Sequence, residues 1–250
     1  MSDNVRRDNR RALPKYLLTI LLFGLLGGVL GFFTGVAGAA GVAETVRQAL
    51  DRVLAVCAPW GIVGSAVVLL GAGWYLYAAA KRRFAAWDGE DEDAMDAAEQ
   101  QLSWALLLTG LVIILDFFFF AASIIYDRFL PDLILFLASV AVLVVLQQKI
   151  VDLERRINPE KRGSVYDMKF QKTWMDSCDE AERAQIGQAS FRAFRTVNLF
   201  CPILWLVLLL LNYVFPIGLL PMATVLLVWA VLEISYIGEC IRLGKRKGAA

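Results

Sequence analysis

Six long apolar runs, separated by polar segments, dominate the sequence. They lie at residues 16–40, 60–80, 102–125, 130–146, 197–215 and 219–237. Most of them have the roughly 20 residues that a helix needs to cross the ~30 Å hydrocarbon layer of a membrane. Lipid satisfies no backbone hydrogen bonds, so spanning segments are helices or closed barrels, and the short alternating segments of a barrel are not seen. The pattern predicts an all-α integral membrane protein with six transmembrane helices.

The basic residues fall almost entirely on one side of these predicted spans. With six spans, 22 of the 25 lysines and arginines lie at the two ends of the chain or in the second and fourth connecting segments. The other three are Arg47, Arg52 and Arg128. Because segments rich in Lys and Arg stay in the cytoplasm, we expect a plasma-membrane protein with both termini cytoplasmic. An odd number of spans would destroy this asymmetry.

The composition narrows the chemistry that the chain can perform. Of its 250 residues 58% are hydrophobic, the formal net charge is +1, and histidine is absent. The missing histidine removes Ser-His and Cys-His catalysis as well as His-ligated zinc and haem. Neither a phosphate-binding glycine loop nor a nucleophile elbow occurs. We therefore expect no enzyme, no cofactor, no metal site and no direct nucleic-acid binding, with the lipid bilayer as the main surrounding.

Acidic residues are concentrated before the third predicted span. They are Asp88, Glu90, Asp91, Glu92, Asp93, Asp96 and Glu99. Their spacing approaches that of a calcium-binding EF-hand loop, but Asp93 occupies the position where the sharp turn requires glycine. The preferred interpretation is that Asp88 caps a helix that continues into the third span, since carboxylates near a helix start are stabilised by the helix dipole.

Acidic side chains also occur within the predicted spans, where they are the default candidates for function. They are Asp116, Glu233 and Glu239. At about 1.5 Å per residue, Asp116 and Glu233 fall on opposite sides of the membrane midplane. Glu239 precedes Arg242 by three residues, a spacing that predicts an ion pair. For Asp116 and Glu233 two alternatives stay open: structural hydrogen bonding, or handling of an ion or substrate. Candidate hydrogen-bond partners are Thr109, Ser139, Asn198, Asn212 and Tyr236.

The largest polar segment, residues 147–196, predicts a cytoplasmic helical hairpin between the fourth and fifth spans. The fourth helix should continue to Asn158, because a residue before proline avoids the helical region. Ser177 and Glu180 have the spacing of a capping box that starts the next helix. Four side chains are candidates for docking a partner protein: Trp174, Met175, Ile186 and Phe191. Alternatively, they pack on the inner face of the bundle itself.

A second amphipathic pattern lies between the first two spans. Val46, Leu50, Val53, Leu54 and Cys57 recur at helical spacing. The pattern predicts either a short helix on the outer membrane surface or a helical extension packed on neighbouring spans.

The C-terminal third contains a distinctive run of motifs. They are Lys161-Arg162-Gly163-Ser164-Val165-Tyr166-Asp167, then Phe170, Trp174 and Ser177, then Asp179-Glu180-Ala181-Glu182 and Ser190-Phe191-Arg192-Ala193-Phe194. In these motifs the chain resembles an uncharacterised, domain-of-unknown-function family of multi-spanning membrane proteins from Gram-positive bacteria. The resemblance implies a bacterial plasma membrane, and it supplies no activity and no site.

Three functional hypotheses follow. The leading one is a non-enzymatic regulatory or accessory protein that binds a cytoplasmic partner through residues 147–196. The alternatives are a small transporter or channel that uses the intramembrane acids, and self-immunity to a membrane-active peptide. A homo-oligomer is compatible with each of them.

Overall fold

A computed structural model of the chain describes residues 41–88, 92–125, 129–215 and 217–247, with a discontinuous set between 13 and 36. Every described residue in that discontinuous set is helical. The predicted first span, 16–40, lies partly outside the described residues.

The described part of the chain is built of helices. They are α1 (Val42–Ser65), α2 (Gly71–Ala86), α3 (Glu92–Ile125), α4 (Phe129–Ile157), α5 (Phe170–Asp176), α6 (Glu180–Val214) and α7 (Leu220–Lys247). A π-helical turn, Ala66–Leu70, joins α1 to α2 without a break. The amphipathic pattern at 46–57 therefore belongs to a helix that continues into the second predicted span, and Val46, Leu50 and Val53 of that pattern are exposed.

Five described helical segments are long and apolar enough to cross a membrane. They are Trp60–Ala86, Asp93–Ile125, Phe129–Ile157, Glu180–Asn212 and Leu220–Leu243. Each overlaps one of the second to sixth predicted spans, although most extend well beyond the predicted bounds, and together they indicate a membrane protein. The continuation of α4 beyond its apolar part, and its end before Asn158 and Pro159, agree with the sequence prediction.

The start of α6 differs from the prediction. The backbone nitrogen of Glu182 donates to Asp179 Oδ1 (2.8 Å), and that of Asp179 donates to Glu182 Oε2 (2.9 Å). The capping box is thus formed by Asp179 and Glu182, and the predicted pair of Ser177 and Glu180 is wrong. Ser177 Oγ instead accepts a hydrogen bond from the backbone nitrogen of Arg162 (3.1 Å).

The chain divides into two compact units, one of residues 50–186 and one of residues 1–49 and 187–250. In the first unit, α3 has a buried stripe with a seven-residue repeat. Its members are Met95, Leu102, Thr109, Asp116 and Ser123, with Ala98, Ala105 and Val112 three residues after the first three. In α4 the same repeat buries Asp132, Ser139, Leu146 and Leu153. Alternating steps of three and four residues are typical of helices that pack at a shallow angle, as in coiled coils.

In the second unit, α6 and α7 form an antiparallel pair. Trp229 Nε1 donates to Asn198 Oδ1 (2.6 Å), and the ring of Tyr236 stacks on Phe194 with centroids 4.0 Å apart. The Asn212 side chain accepts a hydrogen bond from the backbone nitrogen of Gly218 (3.0 Å). Asn198, Asn212 and Tyr236, proposed above as partners of the intramembrane acids, therefore make these contacts within the pair.

Candidate functional site

Asp116, on α3 in the first unit, is fully buried. Ser65, at the end of α1, lies 3.1 Å from one carboxylate oxygen, and Ser139, on α4, donates to the other at 2.6 Å. The helices α1, α3 and α4 thus each contribute one polar side chain to this hydrogen-bonded contact. Ser139 is one of the partners proposed from the sequence, whereas Ser65 is not. Interhelical hydrogen bonds of this kind stabilise helix association inside a membrane.

Ser65 has a second acceptor close by. Its Oγ lies 3.0 Å from the carbonyl oxygen of Ile62, one turn back in the same helix. A hydroxyl has a single proton, so Ser65 donates either to Ile62 or to Asp116 at any moment. The π-helical turn begins at the next residue, and such turns are frequent at functional sites.

Other polar groups lie along the same seam. Gln147 Nε2 donates to Thr109 Oγ1 (3.0 Å), which joins α3 to α4 two turns away from Asp116. Asp132, near the start of α4, is 1% exposed and is absent from the candidates proposed above. A sequence signal for it exists, because Asp132 and Ser139 are seven residues apart, as are Thr109, Asp116 and Ser123.

The other two predicted intramembrane acids lie in the second unit. Glu233 is half-buried on α7. Glu239 accepts a hydrogen bond from Arg242 Nη2 at 2.6 Å and forms the ion pair that the spacing predicts. Glu233 and Asp116 thus belong to different units, and a role for either in transport stays a prediction.

The segment between α4 and α6 is held by specific polar contacts. Gln148 Oε1 accepts hydrogen bonds from the backbone nitrogen of Val165 (2.8 Å) and from Ser164 Oγ (3.0 Å). Its amide nitrogen donates to Asp152 (2.8 Å), which fixes the orientation of the amide. Gly163 precedes this contact with φ +127°, where a β-carbon would lie 2.9 Å from the Phe170 ring. Only glycine adopts this conformation easily.

Lys161 is the buried cation of this segment. It is 4% exposed, and its ammonium donates to the carboxylate of Glu182, which is 37% exposed. Burial alone would lower the pKa of Lys161, but the hydrogen bond and the charge of Glu182 outweigh it, so the pKa lies above its ordinary value. The pair therefore ties the segment to the first turns of α6.

Replacing Glu182 by glutamine should loosen this segment. The change leaves a buried ammonium without its counter-charge, and because Glu182 is partly exposed we expect a loss of about 1–3 kcal/mol in local stability. Hydrogen exchange of residues 158–179 measures this, with the exposed Glu180→Gln as the matched control.

The pH dependence of that loss has a definite sign. A raised lysine pKa means that the pair stabilises the fold fully below the ordinary lysine pKa of about 10.4 and is lost as the pH rises through the higher folded value. The difference between wild type and Glu182→Gln should stay constant from about pH 7 to 9 and shrink only above the ordinary lysine value. A difference that already vanishes at neutral pH would contradict this assignment.

The four predicted docking side chains differ in exposure and belong to two units. Trp174 and Met175 are half-buried, and Trp174 lines a cavity beside α3 and α4. Ile186 is 37% exposed. Phe191 belongs to the second unit, where its ring centroid lies 6.5 Å from that of Tyr236. Trp174 thus lies against α3 and α4 of its own unit, and partner docking by these four side chains stays a prediction.

Two side chains outside the predicted docking set are the most exposed apolar residues of this segment. Tyr166 is 67% exposed and Met168 is fully exposed. Both lie in the turn at 164–169, directly after the backbone that Gln148 holds. No periodicity marks a single turn, so the sequence carried no signal for them.

Comparison with known proteins gives one finding. No curated protein and no solved structure shows a significant match to the chain. The family described as "Protein of unknown function (DUF3169)" matches residues 10–239, well beyond the C-terminal third in which the resemblance was found. The chain belongs to this family of proteins of unknown function.

Proposed function

We propose that this protein is a non-enzymatic regulatory or accessory protein of a bacterial plasma membrane that binds a cytoplasmic partner protein. The binding surface is the exposed turn, residues 164–169. The single observation that carries the proposal is that Tyr166 and Met168 are exposed on a turn whose backbone is hydrogen-bonded to the side chain of Gln148. Aromatic and methionine side chains are enriched at protein interfaces, and a few such residues contribute most of the binding energy.

The turn is preorganised by its own hydrogen bonds. The backbone nitrogen of Asp167 donates to the carbonyl of Ser164 (2.9 Å), and that of Phe170 donates to the carbonyl of Asp167 (2.9 Å). The backbone nitrogen of Lys169 also donates to the Asp167 side chain (2.9 Å). A surface that is already ordered loses little conformational entropy on binding, which favours affinity.

The orientation of the chain is part of the proposal. The basic residues support six spans with both termini and residues 147–196 in the cytoplasm. The exposed turn then faces soluble proteins. The Gram-positive origin rests on the sequence resemblance described above.

Site-specific crosslinking tests the proposal. A photoreactive amino acid is placed at position 168, and the protein is crosslinked in its own membranes before purification. We expect one stoichiometric cytoplasmic protein, whose capture falls at least about tenfold with Tyr166→Ser, the effect of losing an interface hot spot. Lys172→Ser, an exposed change on α5, should leave capture unchanged.

Crosslinks to lipid alone would mean that the turn inserts into the membrane, and crosslinks to the protein itself would mean a homo-oligomer. Either result would contradict the proposal.

The point substitutions are preferable to deletion of residues 161–190. That deletion would remove the buried Lys161 and the wall of the cavity beside Trp174. A loss of binding would then report misfolding as readily as a missing surface.

A further inference from the structure

A cavity of about 490 Å³ lies in the first unit, between the polar ends of α3 and α4. Val165, Phe170 and Trp174 close one side of it. The 29 residues of α4 rise about 43 Å at 1.5 Å each, so the helix is longer than the ~30 Å hydrocarbon layer and its polar end extends beyond it. The volume is typical of a binding site for a small organic molecule.

The floor of the cavity is apolar. Leu102, Ile150 and Val151 line it, and each is at most 4% exposed. Such a floor suits the hydrocarbon body of an organic ligand.

The rim of the cavity carries two carboxylates. Glu99 and Glu154 both line it, and each accepts a hydrogen bond from the same amide nitrogen of Asn158, at 2.8 and 3.1 Å. Within the described part of the chain, neither has a lysine or arginine within ion-pair distance, and the ammonium of Lys161 is bound to Glu182. The charge of Lys161 acts on Glu154 only from beyond ion-pair distance, and a neutral amide does not neutralise two half-buried carboxylates, so the site favours a cation.

The aromatic wall favours the same kind of ligand. The rings of Phe170 and Trp174 contact each other with centroids 5.6 Å apart, and both line the cavity. Aromatic faces attract ammonium and guanidinium groups, and tryptophan does so most strongly. Carboxylates and aromatic rings around one apolar volume complement a molecule that has both a positive charge and an apolar body.

We propose that this cavity binds an amphipathic organic cation, an amine or guanidinium attached to an apolar body, with Glu99 and Glu154 as its counter-charges and Trp174 as its aromatic contact. Tyr166 and Met168 do not line this cavity. The test of ligand binding is therefore independent of the test of the proposed partner binding.

The test is calorimetric titration of the full-length protein in phosphatidylcholine nanodiscs, with empty nanodiscs as the reference. The probe is 4-phenylbutylamine. Its matched controls are 4-phenylbutanol, which has the same apolar body without charge, and 4-phenylbutyrate, which has the opposite charge. We expect saturable one-to-one binding of the amine and at least about tenfold weaker binding of the alcohol, which corresponds to about 1.4 kcal/mol.

Substitutions then locate the binding site. Glu99→Gln and Glu154→Gln keep an acceptor for Asn158, so the fold is retained, and each should weaken the amine about fivefold or more. Asp96→Asn removes an exposed charge one turn away on α3 and should have no effect. Trp174→Leu should weaken binding several-fold, whereas the exposed Trp104→Leu should not.

The contrary results are equally clear. Amine binding no greater than in empty nanodiscs, or alcohol binding as tight as the amine, would overturn the proposal. Unchanged affinity in both glutamine variants would also overturn it, because the charge that selects the ligand would then lie elsewhere.

Discussion

Asp116→Leu is expected to lower the free energy of unfolding by about 1–3 kcal/mol, since two interhelical hydrogen bonds are lost inside the bundle. Ser139 keeps a buried hydroxyl whose acceptor on α3 is gone, whereas Ser65 can still donate to Ile62. Unfolding of the purified protein in mixed detergent and dodecyl sulfate measures the change. Asp116→Asn should be close to wild type, because the amide can accept one hydrogen bond and donate another to a serine.

Ser123→Ala is the matched control, because it removes a buried hydroxyl from the same stripe without removing a hydrogen bond to Asp116. Ser123 lies seven residues along the same stripe, but its hydroxyl donates to the Phe120 carbonyl in its own helix. Ser123→Ala should therefore cost much less than Ser139→Ala. If Asp116→Leu proved as stable as wild type, the three-helix contact would not hold the bundle together. If Asp116→Asn kept full stability and abundance but altered ion flux, the transporter hypothesis would gain weight over structural hydrogen bonding.

Gly61→Ala is expected to destabilise the same bundle by about 1–3 kcal/mol, through overpacking. A β-carbon at Gly61 would overlap the ring of Phe119 on α3. Small residues at helix contacts allow such close approach in membrane proteins. The melting temperature of the detergent-solubilised protein, followed by size-exclusion chromatography after heating, measures the effect.

Gly64 provides the comparison, because no described atom lies within 4 Å of a β-carbon placed there. Gly64→Ala should be neutral or stabilising by up to about 1 kcal/mol, the helix preference of alanine over glycine. The smaller side chain of Phe119→Leu should recover part of the loss in a double variant with Gly61→Ala, the signature of direct contact. Equal effects of alanine at Gly61 and Gly64 would contradict the predicted contact.

Much of the helical framework follows from local rules in the sequence. Apolar runs predicted the five helices that are long and apolar enough to cross a membrane, and Asn158-Pro159 predicted the end of α4 because proline restricts the residue before it. The start of α6 was placed on the wrong pair because two capping motifs overlap two residues apart. Ser177 instead bonds to the backbone of Arg162 and Trp174, contacts that the spacing of the capping motifs does not reveal.

Contacts between helices were harder to predict. Ser139 was proposed as a partner of Asp116, but Ser65 lies in an apolar run and carries no local mark. The seven-residue spacing of polar residues in α3 and in α4 is the sequence signal that these side chains face the interior of the bundle. The cavity depends on how α5 lies over α3 and α4, and no periodicity of a single helix contains that information.

The polar residues of the repeating stripe also determine how the helices align along their length. A purely apolar stripe with a seven-residue repeat would pack almost equally well after one helix slides past the other by two turns. Here such a slide of α4 would set Leu146 or Asp132 opposite Asp116 in place of Ser139, which removes a hydrogen bond or brings two acids together. Polar residues at such positions are known to specify register in coiled coils. Asp116 therefore selects one register of α4 against α3 among several that hydrophobic packing alone would allow.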